Sequence, residues 1–272
     1  MPLPLTLGRE GSGTVVECGS NVIDFKPNDK VAFFSGNAYA DYVSIESSTA
    51  YKLPDNFSTR DAATATLQGL TAHYLSHSIA PLKESDFVLV HAAAGGTGAL
   101  LVQMCKLRGL NVIATVGSND KGQIARDAGA DFIINYKSND FEHDTMKITQ
   151  NKGCAAVFDG VGLSTYQKSL NCTARRGMLC LYGNASGAVP PVDPLILSKG
   201  SKFMCRPTLM DFISTNEERK ERCDELFNWI AQGNIKLRVA AEFNLEEAAK
   251  AHQLLESRAT SGKILLDCRL KN

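Results

Sequence analysis

From residue 86 onward the chain alternates short apolar runs with amphipathic stretches. The run 87–91 (FVLVH) leads into AAAGGTG and then a segment, 97–108, that puts Leu100, Leu101, Met104 and Leu107 on one helical face. The same rhythm continues with apolar runs at 111–116, 132–136, 154–159, 177–183 and 202–207. Helical patterns fall between them at 120–128, 139–150 and 164–173, with a short helix in DPLILSK. Gly129 stands where the helix 120–128 must end, a natural C-cap. Near-continuous apolar strands alternating with helices predict a parallel sheet covered on both faces. Six strands in two such halves predict the doubly wound dinucleotide fold.

The flanking segments follow another pattern. Residues 13–53 contain GTVVECG, DKVAFF, AYADYVSI and AYKLP, with KPNDK as a turn. Short strands separated by turn residues predict antiparallel, barrel-like β structure. Ser58-Thr59-Arg60-Asp61 has capping-box spacing and opens a helix, with Asp in the usual place of Glu. Helices at 216–232 and 245–256 and a last strand at 263–268 return to this β-rich part. The expected organisation is one α/β domain, 70–207, inserted into a β-rich domain built from 1–69 and 208–272.

Composition narrows the function classes. The 272 residues are 44% hydrophobic, enough for a sizeable core, and 29 basic residues balance 29 acidic ones. A dedicated nucleic-acid binder would show a basic excess. No apolar run approaches membrane-spanning length, and the opening MPLPLTLGREG lacks the basic and apolar regions of a secretory leader. The eight cysteines, at 18, 105, 154, 172, 180, 205, 223 and 268, form no C-x-x-C pair. Small core residues in a reducing compartment account for them, and the protein is expected to be cytoplasmic. Asn56, Asn171 and Asn184 each begin an Asn-x-Ser/Thr triplet, which carries no glycosylation meaning in that compartment.

Candidate chemistry begins at VLVHAAAGGTGALLVQM. Ala93, Gly95 and Gly98 occupy the three small-residue places of a dinucleotide-binding turn, after a strand and before a helix. Such a turn brings backbone close to a pyrophosphate, and the helix N-terminus offers free N–H groups and partial positive charge. No Gly-Lys-Ser/Thr follows, so this is not a nucleotide-triphosphate P-loop. At the end of the next strand a carboxylate normally accepts the ribose hydroxyls. Here the place reads Gly117-Ser118, with Lys121 three residues on. Removing the acid removes repulsion of a 2′-phosphate; Ser118 can donate to it and Lys121 can supply charge. NADPH is therefore the expected cofactor. Asp120 is a competing ribose partner, and Lys121 also fits an ordinary solvated lysine.

On the residues LGREGSGTVVECGSNV, KPNDKVAFF, LQGLTAHYL, VLVHAAAGGTGALLVQM, TVGSNDKGQIARDAGADFIINY, VFDGVG, RRGMLCLYGNASGAV and LESRATSGKILL, the chain resembles the zeta-crystallin-type quinone oxidoreductases. These belong to the medium-chain dehydrogenase/reductase superfamily. The resemblance runs over essentially the whole length. It implies a Rossmann-like sheet inserted into a GroES-like β-rich domain, a homodimer, a cofactor cleft between domains, and NADPH oxidation with a quinone acceptor. It also implies site residues. Gly96 and Thr97 would meet the pyrophosphate, and Gly117, Ser118 and Lys121 the 2′-phosphate. Tyr136 would lie near the adenine. Val161, Tyr182, Gly183 and Asn184 would line the crevice. Tyr74, Pro207, Thr208 and Leu209 would border the nicotinamide, and Arg258 would reach the 2′-phosphate region from the other domain. Ordinary roles exist for several: core aromatics for Tyr74 and Tyr182, a helix-end cation for Arg258, turn chemistry for Asn184.

The resemblance also bears on metal. Zinc-dependent members carry Gly-His-Glu where this chain has Gly8-Arg9-Glu10, and a guanidinium cannot ligate zinc. The four-cysteine zinc lobe is absent, and His73, His77, His91, His143 and His252 form no ligand-spaced cluster with cysteine. A zinc-independent reductase is expected, working by positioning of cofactor and acceptor, with no catalytic acid or base identified. Relatives carry an upstream segment with opening β strands and a loop beside the nicotinamide. The chain starts at PLPLTLG, so unpaired strand edges and a weakened acceptor pocket are expected. Two alternatives follow: an NADPH-dependent alkenal or enone reductase, and an NADPH-binding chain with little activity. RNA binding, which occurs among zeta-crystallin-like proteins, gains no support from the balanced charge.

Overall fold

The computed structural model describes residues 3–257 and 259–269. Contacts divide the chain into two compact units, Met1–Leu70 with Ile213–Asn272, and Thr71–Phe212. The first unit begins with β1 (Gly11–Thr14), β2 (Lys30–Phe33) and β3 (Ala50–Lys52). These pair antiparallel in that order, Ala32 lying opposite both Ser12 and Tyr51. The KPNDK turn works as its residues suggest. Asn28 takes a left-handed φ of 75°, and the Asp29 carboxylate accepts the Lys26 N–H at 3.0 Å and Lys52 Nζ at 2.8 Å. Lys52 and Lys26 together hold the Asp29 carboxyl below its usual range.

The strand expected within AYADYVSI does not form; residues 38–46 lie in irregular structure. Alternation describes which residues face inward, and Val43 and Ile45 are indeed less exposed than Ser44. A strand also needs a neighbouring backbone edge, which alternation cannot supply. Helix α1 (Thr59–His77) follows. Ser58 Oγ accepts the Asp61 N–H at 3.2 Å, as the cap spacing predicts.

The second unit carries β4 (Phe87–Val90), α2 (Gly96–Leu107), β5 (Asn111–Val116), α3 (Asn119–Asp127), β6 (Phe132–Asn135) and α4 (Phe141–Ile148). It continues with β7 (Cys154–Asp159), α5 (Tyr166–Cys172), β8 (Thr173–Leu181) and β9 (Phe203–Cys205). The six strands form one parallel sheet in the order β6-β5-β4-β7-β8-β9. Strand order therefore reverses between β4 and β7, creating the crevice where doubly wound sheets bind ligands. The central strands are buried on both faces: Val88, Leu89, Val90, Val112, Ile113, Ala156, Val157 and Leu179 are all fully excluded from solvent. Each such valine, leucine or isoleucine side chain contributes roughly 1.5–3 kcal/mol by leaving water.

Element ends show what periodicity misses. Gly129 takes φ 101° just beyond α3, and Ala130 N–H closes onto the Ala125 carbonyl at 3.0 Å. β8 starts four residues before its apolar run, because Arg175 and Arg176 are exposed strand residues. DPLILSK makes only the single 3-10 turn Pro194–Leu197, opened by Asp193. The tail returns to the first unit as α6 (Asn216–Ala231), β10 (Val239–Asn244), α7 (Ala248–Glu256) and β11 (Lys263–Asp267). β10 and β11 pair parallel, with α7 as their connection. Phe227 of α6 packs on Tyr51 and Phe57 with ring centroids 5.3 and 4.8 Å apart.

Candidate functional site at the carboxyl ends of the parallel strands

The turn after β4 is shaped by close backbone approach. Ala92 takes a left-handed φ of 51°. Its carbonyl accepts the Gly95 N–H at 2.9 Å. A Cβ on Gly98 would sit 2.3 Å from that carbonyl oxygen, so only glycine fits there. Gly95 caps α2 with no side chain, and the first helical bond runs from Ala99 N–H to the Gly95 carbonyl at 2.9 Å. The N–H groups of Gly96, Thr97 and Gly98 therefore have no acceptor within the helix. Gly96 and Thr97 are half-exposed, so a phosphate can reach them.

At the end of β5, Gly117 lies beneath the Tyr136 ring. A Cβ there would fall 2.6 Å from the tyrosine hydroxyl. Tyr136 extends from the end of β6, its N–H donating to the Val116 carbonyl at 3.1 Å, and it is half exposed. Ser118 is the N-cap of α3, and its Oγ accepts the Lys121 N–H at 3.3 Å. The cap uses a lone pair and leaves the hydroxyl hydrogen available to an incoming oxygen. Ser118 and Lys121 thus sit together on one helix N-terminus, next to Gly117 and Tyr136. Asp120 is exposed in the first turn of the same helix.

The loops after β7 and β8 are bonded to each other. Ala185 and Ser186 N–H groups donate to the carbonyls of Gly160 and Val161 at 3.2 and 2.8 Å. Leu163 N–H donates to the Gly187 carbonyl at 3.1 Å. A Cβ on Gly183 would lie 2.5 Å from the Gly160 carbonyl, and one on Gly160 would meet the Tyr182 ring at 2.8 Å. Val161, Tyr182, Gly183 and Asn184 are therefore one surface. Tyr182 is half-buried, and burial with the nearby Asp159 carboxylate pushes its hydroxyl up, keeping it protonated.

Beneath this surface lies a polar cluster absent from the sequence-level candidates. Asp159 is fully buried. Its Oδ1 accepts the N–H groups of Val161 and Gly162 at 2.8 and 3.0 Å, and Thr165 Oγ1 at 2.9 Å. Its Oδ2 takes Ser169 Oγ at 2.8 Å. Ser169 Oγ lies 3.0 Å from His91 Nε2, whose Nδ1 lies 2.8 Å from Thr115 Oγ1. The chain of contacts spans β5, β4, α5 and β7, tying the ends of three strands into one frame. Burial lowers the His91 imidazole, with the Asp159 charge opposing. The available signal was a polar residue closing an apolar strand run, as in FVLVH and CAAVFD.

The remaining candidates lie elsewhere in the second unit or outside the described residues. Tyr74 is 2% exposed, stacked on Phe212 at 4.3 Å, with burial and Cys180 raising its hydroxyl. Pro207 and Thr208 follow β9 and reach solvent, whereas Leu209 is buried. Arg258 lies outside the described residues. A cavity of about 720 Å³, lined by Phe87, Arg175 and Arg176, opens at the amino ends of the strands, the opposite edge from these groups. Among the described residues no group of three His, Cys, Asp or Glu is placed to hold a metal ion, and no helix is long and apolar enough to cross a membrane.

Comparison with known proteins agrees with this architecture. The Zinc-binding dehydrogenase family model matches residues 128–266, and the Alcohol dehydrogenase GroES-like domain model matches residues 1–77. The chain is 40% identical over 267 residues to a quinone oxidoreductase of Pseudomonas aeruginosa, covering 97% of this chain and 82% of that protein. It is 36% identical over 269 residues to a 2-haloacrylate reductase of Burkholderia, covering 97% and 81%. The solved structure of the Escherichia coli quinone oxidoreductase complexed with NADPH superposes with a TM-score of 0.94 at 40% identity, covering 97% and 82%.

Proposed function

The chain belongs to the quinone oxidoreductases of the medium-chain dehydrogenase/reductase superfamily, and from that premise we propose that it binds NADPH and reduces a quinone without zinc. The observation that carries the cofactor is the end of β5. Glycine, a hydroxyl and a lysine stand there in place of a carboxylate, and the cap uses the hydroxyl only as an acceptor. The residues fit the cofactor because Gly98 lets the α2 N-terminus close against the Ala92 carbonyl and Gly117 lets Tyr136 close over the end of β5, bringing backbone N–H groups and Ser118 to one edge. Gly96 and Thr97 hold the pyrophosphate on the α2 N-terminus. Ser118 and Lys121 hold the 2′-phosphate, with Tyr136 on the adenine side. Val161, Tyr182, Gly183 and Asn184 line the crevice after β7 and β8, and Tyr74, Pro207, Thr208 and Leu209 complete the nicotinamide surroundings. Bound NADPH supplies a hydride; the protein positions it and keeps water out.

Zinc independence is supported by the donor set. Arg9 cannot ligate a metal. The neighbouring Glu10 carboxylate is already engaged by Lys263 Nζ, and it accepts the Leu67 N–H at 2.9 Å. Titration of NADPH and NADH against the protein and its Lys121→Ala variant tests the reading. Lys121→Ala should weaken NADPH about tenfold or more, roughly 1.4 kcal/mol, and leave NADH nearly unchanged; equal weakening of both overturns it. A second reading, reduction of an activated alkene, is favoured by the likeness to the 2-haloacrylate reductase. Steady-state NADPH oxidation with an ortho-quinone and with 2-chloroacrylate separates the two.

A further inference from the structure

Two cysteines face each other across the edge of the parallel sheet. Cys180 on β8 and Cys205 on β9 are register partners. Residues paired in a ladder project to the same face. Neighbouring strands lie about 4.8 Å apart, inside the span of roughly 4.4–6.8 Å that a disulfide bridges between Cα atoms. Each thiol is the other's strongest electrostatic influence, which raises Cys180 and lowers Cys205. Cys180 is fully buried, whereas Cys205 is partly open to solvent. The pair therefore combines one sulfur that a small oxidant can reach with a second, buried thiol on the neighbouring strand.

We propose that Cys205 and Cys180 are a thiol oxidation site, Cys205 as the attacking thiol and Cys180 as the resolving one, closing a disulfide between β8 and β9 in response to peroxide. Cys205 Sγ attacks one peroxide oxygen, forming sulfenic acid and releasing the other oxygen as water. Cys180 Sγ then displaces the hydroxyl from that sulfur, which leaves with the Cys180 proton as a second water. Two thiols and one peroxide become one disulfide and two waters. The influence of Cys180 favours the Cys205 thiolate, the form that reacts. Cys105, Cys154, Cys172 and Cys223 are held as thiols, chiefly by burial. They serve as internal controls.

Each cysteine lies two residues before a segment of the cofactor reading, Tyr182–Asn184 and Pro207–Leu209. Closing the bridge ties β9 to β8 and fixes both side chains in new rotamers beside these two segments, so oxidation should weaken NADPH several-fold; this consequence alone rests on the proposed function. The site is tested by treating the intact protein with equimolar hydrogen peroxide, blocking free thiols, and digesting with trypsin without reduction. The expected product joins peptides 177–199 and 203–219, two hydrogens lighter than their sum and absent in Cys205→Ser. Cys180→Ser should instead trap a dimedone-reactive sulfenic acid on Cys205. Absence of the linked peptide, or dimedone labelling spread equally over the other cysteines, overturns the site. NADPH affinity before oxidation, after it, and after dithiothreitol reads the consequence. An unchanged affinity with the bridge present removes the coupling and keeps the site. Failure of the reduced protein to bind NADPH at all counts against the cofactor reading, not against the disulfide.

Discussion

Ser118 is the residue on which the proposed cofactor choice rests, and two duties meet there. Its oxygen caps α3, and its O–H is the proposed donor to the 2′-phosphate. Alanine would remove both, and the lost cap alone costs ~1 kcal/mol. Aspartate separates them, because it caps a helix as well as serine does while restoring the missing carboxylate. Ser118→Asp should therefore keep its melting temperature within a degree or two. Its NADPH affinity should drop by about tenfold or more, ~1.4 kcal/mol, with NADH retained or improved. Calorimetric titration of both dinucleotides reads this. Unchanged NADPH binding in a well-folded Ser118→Asp protein would move the 2′-phosphate away from α3.

Among the elements, the ends of β4, β5 and β7 are joined by contacts among Thr115, His91, Ser169 and Asp159 as well as by the sheet ladder. The buried imidazole makes this frame sensitive to acid. Burial lowers the folded-state value of His91 below the 6.5 of a free imidazole. Above that pH both folded and unfolded chains hold it neutral, and it contributes no pH dependence. Below it the unfolded chain binds a proton that the folded chain refuses, so stability falls as pH drops, by at most ~1.4 kcal/mol per pH unit. His91→Gln removes this part of the acid limb. Denaturant midpoints at pH 7.5 and 5.5 should fall less in His91→Gln than in the parent; equal falls would show that the imidazole does not carry the effect.

The molecule divides its labour between two units: a doubly wound sheet with the cofactor candidates and a β-rich unit that holds Arg9 and Glu10. In the second of these, Glu10 is bound to Lys263 and the backbone of α1 rather than poised as a ligand. Prolonged dialysis against a chelator should leave NADPH oxidation by quinone within about twofold of its starting rate. Loss of activity restored by added zinc would reverse the metal reading. Saturating NADPH, at about 100 times its Kd, should stabilise the fold by ~2.7 kcal/mol, seen as a raised melting temperature.

Much of this was legible in the residues because parallel strands buried on both faces write continuous apolar runs, and because a turn against a phosphate needs glycine where backbone meets backbone. Gly98, Gly117 and Gly129 announce their geometry in their identity, and each occupies the crowded or left-handed place its position suggests. Local chemistry also sufficed for the cap at Ser58. Contacts between distant residues were not legible. Nothing local says that AYADYVSI lacks a partner edge, that His91 reaches Ser169, or that Cys180 pairs with Cys205. Those depend on which strands become neighbours. Sequence sets periodicity, caps and turns through interactions a few residues long; register and burial join groups 25 to 78 positions apart, and only the packed sheet brings them into contact.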